Sequence, residues 1–146
     1  MTPKDHFKFT PAVYLVLQQD DQVLLLQRQN TGYMDGYWGL PAGHHDGGQT
    51  LKEAMCREAK EEAGIDIMPA DLTFLHVMHR DANDGERIDF YFGCTRWAGG
   101  VTNTEPHKCA GLAWFPLNNL PANTISVVRQ ALELIATNIN YSESAE

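Results

Sequence analysis

The chain has 146 residues, is 43% apolar and 21% charged, and carries a formal net charge of −8. This composition suits one soluble globular domain with a substantial core, and the acidic balance excludes a broad duplex nucleic-acid interface, which needs basic surface. A small phosphorylated ligand remains admissible where metal ions offset the repulsion.

The N-terminal stretch MTPKDHFKFTP has no apolar run of the signal-peptide kind, and no segment has the length of a membrane span, so a cytoplasmic location is expected. Residues 12–17 (AVYLVL) and 23–26 (VLLL) are apolar on both faces and flank an Asp-Asp turn, which predicts a hairpin buried on both sides. Residues 31–43 (TGYMDGYWGLPAG) read as a structured loop. Thr50 to Ala63 is the clearest helix. Thr50 and Glu53 form a capping box, Gly64 is placed to end it, and Leu51, Ala54, Met55 and Ala59 give it an apolar side. Strands are predicted over 73–79, 87–95 and 111–115, with Ile88, Phe90, Phe92 and Cys94 sharing one face of the second. A second helix is expected over 123–136, capped by Asn123 or Thr124. The element order favours an α/β fold with a mixed sheet between helices. The expectation is a single domain over 1–146 with its core at about 11–138, and an acidic tail, YSESAE (141–146), that frays. The three cysteines, Cys56, Cys94 and Cys109, are widely separated and include no CxxC pair, so neither a zinc site nor a disulfide framework is suggested.

One stretch does not suit its position. Glu58, Glu61 and Glu62 stand at i, i+3 and i+4 near the C-terminal end of the predicted helix, where the macrodipole disfavours anions and like charges repel. On charge alone two readings stay open: a solvated acidic face, or a stripe that holds a hard divalent cation such as Mg²⁺ or Mn²⁺, whose shell is completed by water and phosphate oxygens.

The wider context resembles a known pattern. From Gly43 the chain runs GHHDGGQTLKEAMCREAKEEAGI. This resembles the Nudix (MutT-type) box: a glycine, five residues, a glutamate, seven residues, Arg-Glu-aliphatic, one residue, two glutamates, one residue, then glycine and an aliphatic. Gly43, Arg57, Glu58, Glu61, Glu62, Gly64 and Ile65 fall in register. The preceding WGLPAG (38–43) is similar to the usual approach to that box. Gln49 stands where the family has its first glutamate, and Ala59 replaces the bulky aliphatic.

The resemblance implies an α/β/α sandwich with a mixed β-sheet and a metal-dependent hydrolase of nucleoside diphosphate derivatives. Mg²⁺ is the expected cofactor, with Mn²⁺ an alternative, and a small nucleotide the expected partner. Oligomeric state stays open, a homodimer included. By carry-over, Glu58 and Glu62 are metal ligands, Glu61 a further ligand or the base, and the Gly43 carbonyl an added donor. Arg57 braces the helix through Gln49. Arg28 is a candidate phosphate contact, and Tyr37 and Trp38 are candidate substrate contacts, with Tyr33, Phe90 and Trp114 also considered as stacking rings. Glu86, Asp89 and Glu105 are candidates for a carboxylate from beyond the box. His76 and His79, three apart on a strand, do not make a metal pair, and His44 and His45 read as loop fillers. The signatures that mark the NADH, ADP-ribose, dinucleoside polyphosphate and coenzyme A subfamilies are missing. This leaves nucleoside triphosphates, cleaved to monophosphate and pyrophosphate, as the best class. The alternative is a nucleotide-binding module with little or no catalysis. Gln49 leans that way and the three box glutamates lean against it.

Overall fold

The computed structural model describes residues 5–82 and 84–144. The chain runs β1 (Thr10–Gln19), β2 (Gln22–Arg28), β3 (Trp38–Gly39), β4 (Ala42–His44), α1 (Leu51–Ala63), a 3-10 turn (Pro69–Asp71), β5 (Thr73–Ala82), β6 (Gly85–Cys94), β7 (Cys109–Pro116), α2 (Ser126–Ala136) and β8 (Tyr141–Ser144). The eight strands form one mixed sheet in the order β3-β2-β1-β6-β5-β8, with β4 paired to β1 and β7 to β2. β1 and β6 run parallel from Thr10↔Arg87 to Leu17↔Cys94.

The apolar runs of β1 and β2 are explained by burial on both faces. Val13, Leu15, Leu17 and Leu24 pack with Ala54, Met55, Ala59 and Ala63 of α1. Val16, Val23 and Leu25 face the other way, against Val127, Val128, Ala131 and Leu132 of α2. The result is the expected α/β/α layering. Phe92 and Cys94 join the α1 side with Phe90 against them, as the alternation of β6 predicts.

The predicted hairpin is present, but β1 and β2 pair only beside the turn, at Gln18↔Val23 and Gln19↔Gln22. Beyond that they separate. β1 takes β4 as a neighbour at Ala12–Tyr14, and β2 pairs with β3 and β7. Arg28 and Ala42, at the splayed end, border both cavities described below. The loop before the box is tied internally: the Asp35 carboxylate accepts from the Thr31 N–H (3.1 Å), the Gly32 N–H (3.0 Å) and the Thr31 hydroxyl (2.5 Å).

The structure corrects two expectations. The second helix starts at Ser126, not 123, and Ile125 precedes it without a side-chain cap. Asn123 and Thr124 are otherwise engaged: Asn123 Nδ2 donates to the Gly36 carbonyl (2.8 Å), and the Thr124 hydroxyl donates to the Pro121 carbonyl (2.7 Å). The tail does not fray from 141. Tyr141–Ser144 pairs in parallel with Val77–Arg80 of β5, while Ala145 and Glu146 lie outside the described residues. Part of the cause is His76, which is fully buried. Its Nδ1 lies 2.8 Å from the Ile139 carbonyl and its Nε2 2.7 Å from the Ser142 hydroxyl, so this segment satisfies both ring nitrogens. The three cysteines are free thiols, and no helix among the described residues is long and apolar enough to cross a membrane.

Candidate active site

The capping box fixes where α1 begins. The Thr50 hydroxyl accepts from the Glu53 N–H (3.1 Å), and the Glu53 carboxylate accepts from the Thr50 N–H (2.8 Å). Gly64, at φ 69°, adopts the left-handed conformation and donates to the Lys60 carbonyl (3.1 Å), which ends the helix. Between these limits, helical spacing places Glu58, Glu61 and Glu62 on one side, where all three line a cavity of about 450 Å³. Arg28, Glu105, Lys108 and Cys109 contribute the facing wall.

Each glutamate has a different setting. The Glu58 side chain is 13% exposed and accepts from Arg57 Nη1 (3.2 Å), whereas that of Glu61 is 52% exposed and lies 3.4 Å from the same nitrogen. Glu62 accepts the Ala42 N–H at 2.8 Å. Burial pushes the Glu62 carboxyl up to about 8. The Ala42 N–H pulls it down, and neighbouring Glu58 and Glu105 push it further up. Burial also raises Glu58, against the pull of Arg57. Gly43 leaves room for the Glu58 carboxylate, which a Cβ there would overlap and displace. Arg57 Nε donates to the Gln49 side-chain oxygen at 3.3 Å, so the brace survives with a neutral acceptor.

Of the three carboxylates considered beyond the box, the structure brings only Glu105 to this cavity. Its carbonyl accepts from the Lys108 and Cys109 N–H groups, and its own N–H donates to Asn103 Oδ1 (3.2 Å). Glu86 instead meets His79 Nε2 at 2.8 Å, and Asp89 is buried against Arg80 Nε at 2.6 Å. Trp38 is drawn into the core, edge-on to Phe115 at 4.9 Å, and neither Trp38 nor Tyr37 borders the two cavities. Phe90 and Trp114 also pack against the core.

A second cavity of about 380 Å³ adjoins the first through Arg28 and Ala42. Tyr14, Tyr33, His44, Arg80 and Arg87 line it, and Gly43 forms part of its rim. Arg28 Nε donates to the Tyr33 carbonyl (2.7 Å), and its guanidinium lies 5.3 Å from the Tyr33 ring centroid. His45 fills the loop as expected, whereas His44 faces the cavity and accepts from Arg87 Nη1 at 2.8 Å.

The family model of the NUDIX domain matches residues 8–135, a span that holds the helix, its caps, Gly43 and Arg57. The chain belongs to the Nudix family. It is 34% identical over 132 residues to a Homo sapiens 8-oxo-dGDP phosphatase, covering 88% of this chain and 38% of that one. It is 29% identical over 101 residues to a Proteus vulgaris 8-oxo-dGTP diphosphatase, covering 69% and 88%. The crystal structure of a MutT NUDIX hydrolase from Burkholderia pseudomallei superposes with a TM-score of 0.78 at 29% identity, covering 87% of this chain and 98% of that one. The chain spans 38% of the human relative and 44% of a Stutzerimonas stutzeri NAD-capped RNA hydrolase.

The Nudix cavity suits a hard cation by its donor set. Four carboxylates border it against Arg28 and Lys108, and burial makes the charges of Glu58 and Glu62 costly without a counter-ion. Among the described residues, no three His, Cys, Asp or Glu side chains are already gathered as a metal cluster.

Sequence reasoning missed Arg80 and Tyr14. A signal existed: Arg80 follows His76 and Met78 in the inward phase of β5, where an arginine is out of place unless paired.

Proposed function

We propose that this Nudix domain hydrolyses a pyrophosphate bond of a small nucleotide, most specifically a nucleoside triphosphate to monophosphate and pyrophosphate, with a divalent cation. The observation that carries the reading is the meeting of Glu58, Glu61, Glu62, Glu105 and Arg28 around one cavity that opens beside a second, aromatic and cationic one. Glu58 and Glu62 would hold Mg²⁺ or Mn²⁺, with Glu61 and the Gly43 carbonyl as further donors. When bound, such a cation screens the phosphates, stabilises charge on the leaving oxygen and acidifies water.

The chain's own residues supply the rest. Arg57, held by Gln49, fixes Glu58 and Glu61 on the rigid helix. Arg28 reaches the boundary between the cavities and binds phosphate there, its own position set by Tyr33. Glu61, the most open of the box carboxylates, and Glu105, on a turn tied by its own backbone, are the groups placed to take a proton from the attacking water. The domain arrangement, a single unit over the whole chain, belongs to the same proposal.

The test is a panel of nucleoside triphosphates, diphosphates and diphosphate-linked nucleotides, incubated with Mg²⁺ or Mn²⁺ and analysed for released phosphate and pyrophosphate. Monophosphate and pyrophosphate from a triphosphate are expected. Tight nucleotide binding with no turnover on any member would replace this reading with that of a binding module.

A further inference from the structure

The second cavity is built differently from the acidic one. Its lining residue Arg80 belongs to a buried ion pair: Arg80 is 4% exposed and Asp89 fully buried behind it, with Nε to Oδ2 at 2.6 Å. Asp89 Oδ1 and the Tyr91 hydroxyl have no hydrogen-bond partner among the described residues. A buried pair that leaves polar atoms over is a costly way to fill space, and an apolar pair would serve stability better. What the arrangement provides is a fixed guanidinium. Asp89 holds its Nε, the Tyr14 hydroxyl lies at a long 3.5 Å from Nη2, and Nη1 has no partner among the described residues, so the Nη1/Nη2 end of this cavity-lining guanidinium is left to donate.

The walls specify shape. The Tyr14 ring is stacked on buried Tyr91 at 4.7 Å and 18°, so it cannot swing away. Tyr33 is 46% exposed, and Ala12, Ala42 and Ala82 add small apolar surface beside the polar groups of His44, Asp84 and Arg87. Charge argues against a second phosphate. Arg80 is neutralised by Asp89 and Arg87 by Asp84, leaving Arg28 at the border with the acidic cavity. The interior therefore offers N–H donors with little net charge, which favours a neutral, planar group rich in acceptors.

We propose that this cavity takes the base of the nucleotide and that Arg80, positioned by Asp89, selects a 6-oxopurine. The proposal rests on the functional reading above for the placement of the phosphates. A 6-oxopurine presents O6 and N7 as adjacent acceptors, which a guanidinium fork meets with two parallel hydrogen bonds. Adenine places an amino donor at position 6, so the Arg80 N–H groups would face a donor and lose a partner. Inosine keeps O6 and N7 and sides with guanosine.

The test uses phosphate-free ligands and no metal, so it separates from the test of hydrolysis. Guanosine, inosine and adenosine are titrated into the full chain while the tyrosine ring signals are followed by NMR, with Tyr14 and Tyr33 assigned by substitution. Guanosine and inosine are expected to shift both rings and to bind about tenfold or more tightly than adenosine. Arg80→Lys keeps the charge beside Asp89 but has no planar fork, so it should bring the ratio close to one. Tyr33→Ala should weaken all three alike. Equal binding of adenosine, a ratio unchanged in folded Arg80→Lys, or no shift of either ring by any nucleoside would overturn the assignment. A guanosine preference without hydrolysis would leave it standing, and hydrolysis without base preference would sink it alone.

Discussion

Replacing Glu62 with Gln tests the electrostatics of the acidic cavity through stability alone. The carboxyl sits at about 8 in the folded chain against an ordinary value of 4.5. The folded state therefore keeps a proton that the unfolded state has lost. Stability from this group is undiminished below 4.5, falls as pH rises, and is fully lost above about 8. At about 1.4 kcal/mol per pH unit, that interval sets a ceiling of about 5 kcal/mol. Relaxation of Arg28 and Glu105 and entry of water reduce the expectation to about 1–3 kcal/mol, or roughly 3–10 °C in Tm for a chain of this length. The glutamine keeps the acceptor for the Ala42 N–H and removes the charge. The assay is thermal unfolding of both proteins with a chelator present at pH 5 and pH 9. Groups common to both proteins cancel in the difference. The variant should gain on the wild type between pH 5 and pH 9. A difference that is flat or falls with pH would refute the claim that burial makes this charge costly.

Three further outcomes are expected. Gly43→Ala would drive a methyl into the Glu58 carboxylate, so steady-state kinetics should show turnover falling at least tenfold while circular dichroism shows the fold retained. Gln49→Glu gives Arg57 a charged acceptor at a partly exposed position, and differential scanning calorimetry should show a gain of about 0.2–1 kcal/mol with the hydrolysis rate changed no more than a few-fold. A wild type that is inert on all nucleotides and rescued by this change would contradict that account of position 49. Ser142→Ala removes a partner of buried His76, and denaturant unfolding should show a loss of about 1–3 kcal/mol.

Much of this was legible in the residues because local chemistry decided it. The Thr50/Glu53 box and Gly64 set both ends of α1, and the two-sided apolar runs of β1 and β2 required a covered sheet. The acidic cavity could be anticipated because its three box carboxylates lie on one helix. What the sequence left hidden was set by contacts between distant segments. Which of the candidates Glu86, Asp89 and Glu105 borders the acidic cavity depends on a turn tied to the end of β2 through Gln29, whose N–H donates to the Lys108 carbonyl at 3.0 Å. Tyr37 and Trp38 read as substrate contacts because aromatic rings can stack on a base, yet Trp38 packs edge-on to Phe115 against the core cluster that includes Val127 and Val128. The acidic tail reads as unpaired by composition, but it pairs with β5 as far as Ser144, and the needs of His76 are written 66 residues away from Ser142. Arg80 was overlooked because the strand predicted over 73–79 stops short of it, whereas β5 runs on to Ala82 and its partner Asp89 lies on the neighbouring strand.

The most direct test of the central claim is hydrolysis by wild type and Glu62→Gln, with nucleoside triphosphate substrates, across a Mg²⁺ titration that begins in chelator, with pyrophosphate release as the readout and the fold of each protein confirmed. The account predicts wild-type turnover that depends on the metal and is cut by two or more orders of magnitude in the variant at equal Mg²⁺. Turnover that persists in chelator, or that is undiminished in folded Glu62→Gln, would contradict it.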